Sequence, residues 1–362
     1  MNNEAIMVSV FCIAYNHEPY IKYALDGILM QKANFRYEVI VHDDASTDRT
    51  ADIIREYEKK HPNIIKPIYQ KENQYSKNID FMVLMALKAK GKYIALCEGD
   101  DFWIDEKKLS IQIDFLENNP EYIACGHNEI LYNCQEKRIK DFHGFTSTYD
   151  TDVKPTDNLV STATLVYRAE YETNRPSQFD YSHTARHFWL CINGKMRFLS
   201  RVMSFYRRFS LGSWNSKIFY NINLKITNYL YAIQLYENVY QFLNNEHDKK
   251  NVKTMSYNEK ISLFYVLYEK SKKKDNQKLL CEDDNYFKIL SIEYKNFIQN
   301  IPFFLKLKLN IRAKRRLFSI INFPRKIINS IKSKHKIKKQ WKILKFNGMI
   351  PSKWSDFNRP PI

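Results

Sequence analysis

Apolar positions along the first hundred residues follow two alternating patterns. Runs rich in β-branched and aromatic residues, at 7–15 and 37–44, have the continuous apolar character of strands that are buried on both faces. The segment between them carries Ile21, Leu25 and Ile28 at the spacing of one helix face. Because strand and helix signals alternate with short connections, we predict an α/β fold with a mostly parallel sheet flanked by helices.

The pattern changes near residue 216, where apolar and tyrosine residues begin to recur every three or four positions. This spacing predicts an α-helical region after the sheet. We therefore expect three parts: a sheet domain over 1–215, a helical accessory region over 216–294 and a tail over 295–362. The sequence has no basic-then-apolar leader and no apolar run of about 18 residues, and its cysteines lack metal-type spacing. These features favour a cytoplasmic protein with reduced thiols.

The net charge of +17 is confined to the C-terminal end of the chain. Residues 1–294 contain 39 basic and 39 acidic residues, whereas residues 295–362 contain 18 basic residues and one acid. Basic residues of the tail are interleaved with Phe, Ile, Leu and Trp, a composition typical of helices at the surface of anionic lipid. Three interpretations of 295–345 stay open. We favour an anionic membrane surface over a solvated cap on the sheet domain, and place nucleic-acid binding last because no nucleic-acid module accompanies the charge.

Carboxylates follow the predicted strands at the points where those strands end. Glu98, Asp100 and Asp101 come directly after the apolar run at 93–97, and Asp44 comes at the end of an earlier strand. The carboxyl ends of parallel strands meet at one edge of a sheet, where ligands bind. Adjacent carboxylates repel one another, and two interpretations account for them here. Either they hold a divalent cation, Mn²⁺ or Mg²⁺, through oxygen ligands, or Asp100 and Asp101 cap the N-terminus of a following helix.

The end of the first predicted strand adds groups of a different kind. Tyr15 offers an aromatic face for stacking and Asn16 offers an amide, while Asp44 can accept hydrogen bonds from a nucleobase or a ribose. For His17, on the same segment, we favour ordinary packing. Together with the acids after the fourth strand, these groups predict a site for a metal-bound nucleoside diphosphate.

The segments VSVFCIAYNHEPYI, YEVIVHDDASTDRTADII and GKYIALCEGDDFWIDEKKL resemble the family-2 glycosyltransferases, nucleotide-sugar-dependent enzymes of the GT-A (Rossmann-like) fold. The three occur in order over 7–118, and a weaker likeness continues to about residue 215. The resemblance implies that 1–215 is a GT-A catalytic domain. It implies transfer of a sugar, with inversion, from a nucleoside-diphosphate sugar, in our interpretation a UDP-sugar. The acceptor would be a hydroxyl of a saccharide or lipid-linked saccharide, in bacterial surface polysaccharide synthesis.

The same resemblance assigns roles to individual residues. Tyr15, Asn16 and Asp44 would lie at the nucleoside, with Asp44 reading the uracil edge. Asp100 and Asp101 would bind the metal and the diphosphate, and Glu98 would take the less demanding first position of that motif. Lys77 would face the diphosphate. At the end of the domain, Arg207 and Arg208 would either help to close the site or simply be solvated.

The general base is the point at which this sequence departs from the family pattern. The family's usual acid, about ten residues before Gly194, is replaced here by His183, and Asp180 lies three residues earlier. A histidine can serve as a base because its ordinary pKa is near neutrality. We rank His183 first, Asp180 second and His187 third; the alternative is that all three are packing or surface residues. The departure also leaves open a catalytically inactive relative that acts as a binding or scaffold subunit.

Overall fold

The structure, a computed structural model, describes residues 5–77, 79–140, 147–155, 157, 160–176, 179, 182–211 and 213–272. Asp180 and the predicted basic tail lie outside the described residues.

Four parallel strands form one half of a single sheet. They are β1 (Ile6–Ala14), β2 (Arg36–Asp43), β3 (Ile65–Tyr69) and β4 (Tyr93–Leu96), in the spatial order β3-β2-β1-β4. Helices connect successive strands: α1 (Ile21–Leu29), α2 (Thr50–Lys60) and α3 (Phe81–Ala86). The predicted alternation of strands and helices is therefore confirmed.

The sheet continues beyond β4 in the order β9-β6-β10-β5. In addition, β7 pairs with β6 and β8 pairs with β10. The strands are β5 (Phe102–Trp103), β6 (Tyr122–Asn133), β7 (Arg138–Lys140), β8 (Thr151–Val153), β9 (Val166–Arg168) and β10 (Lys195–Arg208). The helices of this half are α4 (Lys108–Asn118), α5 (Glu170–Thr173) and α6 (His183–Asn193). β6 and β10 run parallel, whereas β9 and β5 are antiparallel to their neighbours.

Both faces of the sheet are buried, as the continuous apolar runs predict. Alternate residues of β1 enter different cores: Val10 and Cys12 pack towards α1, and Phe11 packs with Met82 of α3. All five cysteines among the described residues are free thiols. The sheet therefore lies between helical layers, and its strand ends are the places left for polar side chains.

Three helices follow the sheet: α7 (Trp214–Tyr220), α8 (Ile222–Phe242) and α9 (Glu246–Lys272). Leu235 and Val239 of α8 share a core with Phe188 of α6, so the helical region is packed against the helix that carries His183. Within the described part of the chain, every helix is too short or too polar to cross a bilayer. The boundary at residue 215 between sheet domain and helical region stays a prediction.

Candidate functional site

The end of β1 lies between the two acidic segments. The amide of Asp44 donates a hydrogen bond to the carbonyl of Ala14 (2.9 Å), and the amide of Gly99 donates one to the carbonyl of Ile13 (2.8 Å). β1 pairs in parallel with β2 on one side and with β4 on the other. The sheet thus brings Asp44 and the acids at 98–101 to one edge, on either side of a single strand end.

Glu98, Asp100 and Asp101 form a tight cluster in which ligating oxygens lie within 4.8 Å of one another. Burial, followed by the charge of Asp100, raises the pKa of Glu98 to about 7. Burial and the same charge raise the pKa of Asp101 well above its ordinary value. Asp101 is completely buried, and its Oδ2 has no hydrogen-bond partner in the described part of the protein. These oxygens fit a hard divalent cation, which would compensate their charge.

Partners from the end of β10 hold the cluster in place. The amide of Arg207 donates to Asp101 Oδ1 (2.8 Å), and its Nη1 donates to the carbonyl of Asp100 (2.6 Å). Ser210 Oγ donates to Asp100 Oδ2 (2.5 Å). The Arg207 guanidinium is buried over the ring of Phe102, 4.7 Å from its centroid. Arg207 is therefore a buried partner of the acids, and the interpretation of it as a solvated residue is wrong.

The helix-cap interpretation of the acids is also wrong. The chain enters the two-residue strand β5 directly after Asp101, and α4 begins only at Lys108. Near the start of α4 it is Asp105 that accepts a hydrogen bond, from the amide of Lys107 (2.9 Å). Asp100 and Asp101 consequently have no helix terminus to stabilise.

Gly99 allows a close approach of the acidic segment to the β1 end. A Cβ atom at this position would lie 2.8 Å from His17 Nδ1 and 3.0 Å from the carbonyl oxygen of Ile13. Nδ1 of His17 is buried without a hydrogen-bond partner in the described residues, which agrees with a packing role. Any side chain at 99 would push the acids away from β1.

Asn16 and Asp44 organise the loops around the expected nucleoside pocket. Asn16 adopts a left-handed conformation (φ 55°), and its Oδ1 accepts a hydrogen bond from the amide of Thr47 (2.8 Å). The buried carboxylate of Asp44 accepts bonds from the amides of Gln74 (2.6 Å) and Tyr75 (3.1 Å). Each carboxylate oxygen has a second acceptor direction, so base recognition by Asp44 stays a prediction.

Tyr15 and Lys77 occupy more open positions. Tyr15 is half-buried, and the Nζ of Lys217 lies 5.2 Å from its ring centroid. Lys77 ends the short 3₁₀ turn Tyr75–Lys77 and forms an exposed ion pair with Glu72. A diphosphate would have to compete with Glu72 for that ammonium group.

His183 is the first residue of α6 and is half-buried, with Nδ1 3.1 Å from Thr162 Oγ1. His187, one turn later, is buried, and burial lowers its pKa to about 4. His187 therefore belongs to the neutral core, whereas His183 stays near the surface of the helix N-terminus. The role of either histidine as a base stays a prediction.

A buried ionic network, which we did not predict, links α6 to α5. Glu172 accepts from Arg186 Nε (3.1 Å), from Arg175 Nη2 (2.8 Å) and from the hydroxyl of Tyr167 (2.6 Å). Coulombic attraction to the two arginines and these hydrogen bonds outweigh burial and lower the pKa of Glu172 to about 2. The spacing of these residues along the chain carries no signal of the network, because it forms only when α5 and α6 pack together.

Comparison with known proteins agrees with this geometry. The family model described as Glycosyl transferase family 2 matches residues 9–213. The uncharacterized protein Rv1520 of Mycobacterium tuberculosis is 34% identical over 218 residues, covering 58% of this chain and 61% of that protein. The Escherichia coli protein named UDP-Glc:alpha-D-GlcNAc-diphosphoundecaprenol beta-1,3-glucosyltransferase WfaP is 33% identical over 118 residues, covering 33% and 44%. The chain thus spans less than two thirds of the length of these relatives.

Two solved structures share the fold at low sequence identity. Staphylococcus aureus TarS 1-349 in complex with UDP-GlcNAc has a TM-score of 0.52 at 17% identity, with 82% of each chain covered. The mannosyltransferase PcManGT from Pyrobaculum calidifontis, in complex with GDP-Man and Mn²⁺, has a TM-score of 0.50 at 14% identity, with 88% of each chain covered. The resemblance inferred from three segments is confirmed: the chain belongs to glycosyl transferase family 2 and has a GT-A fold.

Proposed function

We propose that the protein transfers a sugar from a UDP-sugar to a hydroxyl of a saccharide or lipid-linked saccharide in bacterial surface polysaccharide synthesis. The observation that carries this proposal is the position of Asp44 and the acid cluster on either side of one strand end. The name of WfaP, a UDP-Glc-dependent transferase acting on a diphosphoundecaprenol-linked sugar, supports the donor and acceptor classes. The UDP-GlcNAc complex of TarS supports the same donor class.

Glu98, Asp100 and Asp101 would hold the divalent cation. A bound Mn²⁺ or Mg²⁺ would supply Lewis-acid stabilisation of the negative charge that grows on the leaving diphosphate. The unpartnered, buried Oδ2 of Asp101 supports this assignment, because an ionised oxygen in that position is costly without a compensating charge.

The reaction needs a base at the acceptor hydroxyl. In the proposed step the hydroxyl oxygen forms a bond to the anomeric carbon, and the bond from that carbon to the diphosphate breaks with its electron pair on the departing oxygen. The hydroxyl proton passes to the base, and attack opposite the leaving group inverts the anomeric configuration. We assign the base to His183, oriented by Thr162, with Asp180 as the second candidate.

A panel of nucleotides separates this enzyme from an inactive scaffold. Thermal shifts with UDP, GDP and CDP should show stabilisation by UDP that depends on Mn²⁺. Asp101→Asn should abolish it, and the matched change Asp114→Asn, at an exposed acid of α4, should leave it intact. Turnover of a UDP-sugar panel should fall by about 10²- to 10⁴-fold in His183→Ala. Nucleotide binding without turnover of any sugar would support the scaffold instead.

We further propose that the protein works in the cytoplasm against the inner face of the plasma membrane. The basic tail supports this, and so does the segment 195–236, which contains seven Lys or Arg, of which Arg207 is buried, and no acid. Within this segment Leu211 and Tyr220 are about three-quarters exposed, and Lys225 lies over the ring of Phe219. Apolar and basic groups side by side are typical of contacts with anionic lipid. The protein should sediment with anionic but not zwitterionic vesicles, and truncation at residue 294 should weaken this binding.

A further inference from the structure

Strand β6 carries a carboxylate that no role above explains. Glu129 is 2% exposed, and neither of its oxygens has a hydrogen bond of ordinary geometry within the described residues. The hydroxyl of Ser204, on the neighbouring strand β10, is likewise buried without such a bond. The hydroxyls of Ser161 and Ser204 are close enough to favour the ionised form of Glu129, but neither carries a charge. An ionised glutamate buried without a paired cation lowers the stability of the fold, so a compensating charge nearby would be stabilising.

The strand register places Glu129 on the face of the sheet that carries the acid cluster. β10 lies between β6 and β5, and Ser204 pairs with Glu129 on one side and with Trp103 on the other. Asp101 directly precedes β5, and extending the alternation of side chains by one residue puts it on this same face. The opposite face carries the stacked rings of Phe102 and Phe205.

Electrostatics agrees with the register. Burial raises the pKa of Glu129 to about 8 against the opposing effect of the Ser161 hydroxyl, and the charge of Glu98 adds to the rise. The charge of Glu129 in turn contributes to the raised pKa of Asp101. Burial and the charges of Asp101, Glu98, Asp100 and Glu129, in that order, raise the pKa of Tyr206 well above its ordinary value. The charges of all four carboxylates therefore act on the same tyrosine side chain.

Among the described residues, two buried arginines offset these four acids only in part. Arg207 donates to the main-chain carbonyl of Asp100, and its charge interacts with Asp101 and Asp100. The charge of Arg186 lowers the pKa of Glu98, but Arg186 is also ion-paired with Glu172. The mutually close group of ligating oxygens comprises Glu98, Asp100 and Asp101 and leaves out Glu129. Glu129 is thus close enough to add negative potential to the cluster, but lies outside the set of direct ligands.

We propose that Glu129 is a positioning residue of the cation site: it lies next to Glu98 and Asp101, outside the set of direct ligands, and its carboxylate, when ionised, strengthens binding of a divalent cation. The inference rests on the proposed function of the acid cluster. Because both oxygens of Glu129 are shielded from solvent, they cannot receive a proton from an acceptor, so a base role does not fit. Outer-shell groups of this kind typically change metal affinity by about 10- to 100-fold.

Mn²⁺ alone, titrated into the full-length protein by calorimetry and by electron paramagnetic resonance, tests the proposal. Glu129→Gln should weaken Mn²⁺ binding by about 10- to 100-fold, while its melting temperature without metal should equal or exceed that of the wild type. Glu38→Gln is the control: Glu38 is a buried strand glutamate at the other side of β1, bonded to Ser9 Oγ (2.7 Å). This change should leave Mn²⁺ affinity unaltered.

The outcomes separate the inference from the proposed function. Absence of Mn²⁺ binding by the wild-type protein would overturn both. Wild-type binding with an affinity matched within twofold by Glu129→Gln would overturn the inference alone. Glu129→Met removes the same charge by a different side chain, so it should weaken binding to a similar extent. If neither variant folds while Glu38→Gln does, Glu129 has a structural role and the inference is wrong.

Discussion

Ser210 donates a hydrogen bond of 2.5 Å to Asp100, across 110 residues of sequence. The preceding residue, Phe209, has a φ of 63°, in the left-handed region that residues other than glycine rarely adopt. The turn that carries Ser210 is therefore held in an unfavourable backbone conformation while its hydroxyl faces the acid cluster. Such strain persists only where surrounding contacts determine it, and here those contacts include the acids.

Removal of the Ser210 hydroxyl should weaken the site. Ser210→Ala should raise the Kd for UDP with Mn²⁺ by about tenfold or more, since a hydrogen bond to a charged group is lost. Ser210→Thr, which keeps the hydroxyl, should recover most of the affinity. The control is Ser110→Ala, on α4, where the lost hydroxyl donates a hydrogen bond to the carbonyl of Lys32. Equal affinities in the wild type and Ser210→Ala would contradict the prediction.

A side chain at position 99 should displace the acids from β1. Gly99→Ala would place a Cβ 2.8 Å from His17 Nδ1, so we expect lower Mn²⁺ affinity and a lower Tm. The double variant Gly99→Ala/His17→Ala should recover part of both losses, because the closest of three tight contacts is gone. The contacts with the Ile13 carbonyl and Ile21 Cδ1 remain, which limits the recovery. A double-mutant cycle in Tm measures the coupling, and strict additivity would count against the geometry.

Stability should fall as the pH drops below neutrality, in part because of His187. Burial lowers the pKa of His187 to about 4, while an unfolded histidine titrates near its ordinary value of 6.5. Between these values the unfolded chain binds more protons, so the stabilisation is complete above pH 6.5 and is lost as the pH falls towards 4. The loss between pH 7 and 5 should shrink by about 2 kcal/mol in His187→Gln.

Urea denaturation at the two pH values measures this difference. The control is His247→Gln, at an exposed position in the first turn of α9, which should keep the wild-type dependence. An unchanged loss in His187→Gln would show that other groups, such as the buried His127, dominate acid sensitivity. Burial lowers the pKa of His127 as well, so some dependence should remain in either variant.

The exposed surface at the end of β10 should contribute to membrane binding. Leu211→Ser should reduce co-sedimentation with anionic vesicles by about threefold to tenfold, because an apolar side chain no longer enters the lipid interface. Leu87→Ser is a matched control: Leu87 is 75% exposed and Leu211 is 74% exposed, but Leu87 follows α3 and lies outside the segment 195–236. Equal losses in both variants would indicate a nonspecific effect of surface hydrophobicity.

The strand-end residues could be predicted because buried parallel strands have a strong local signal and end at one edge of the sheet. Asp44, Asp100 and Asp101 follow such strands, and the structure brings their segments to either side of β1. The mistaken helix cap has an equally physical origin. β5 is only two residues long and exists through pairing with β10, so no local pattern reveals it.

Arg207 and Glu129 show what one-dimensional patterns cannot supply. Whether a charged residue is buried or exposed depends on partners from distant segments. The rings of Tyr20 and Phe102 cover Arg207, and pairing with β10 places Glu129 near the acids. A glutamate within the apolar run of β6 was nevertheless a usable signal, since a charge seldom enters a strand buried along its whole length without a function.

The long sequence separation between the acids and Arg207 has a consequence for biosynthesis. The amide that binds Asp101 comes from a residue 106 positions later, so a growing polypeptide that ends before residue 207 already contains all four carboxylates but neither Arg207 nor Ser210. Closing so long a loop is entropically costly and occurs late in assembly. The ribosome must therefore synthesise almost the whole family domain before the cation site can be complete. A truncated product would contain the four carboxylates without the hydrogen bonds from Arg207 and Ser210.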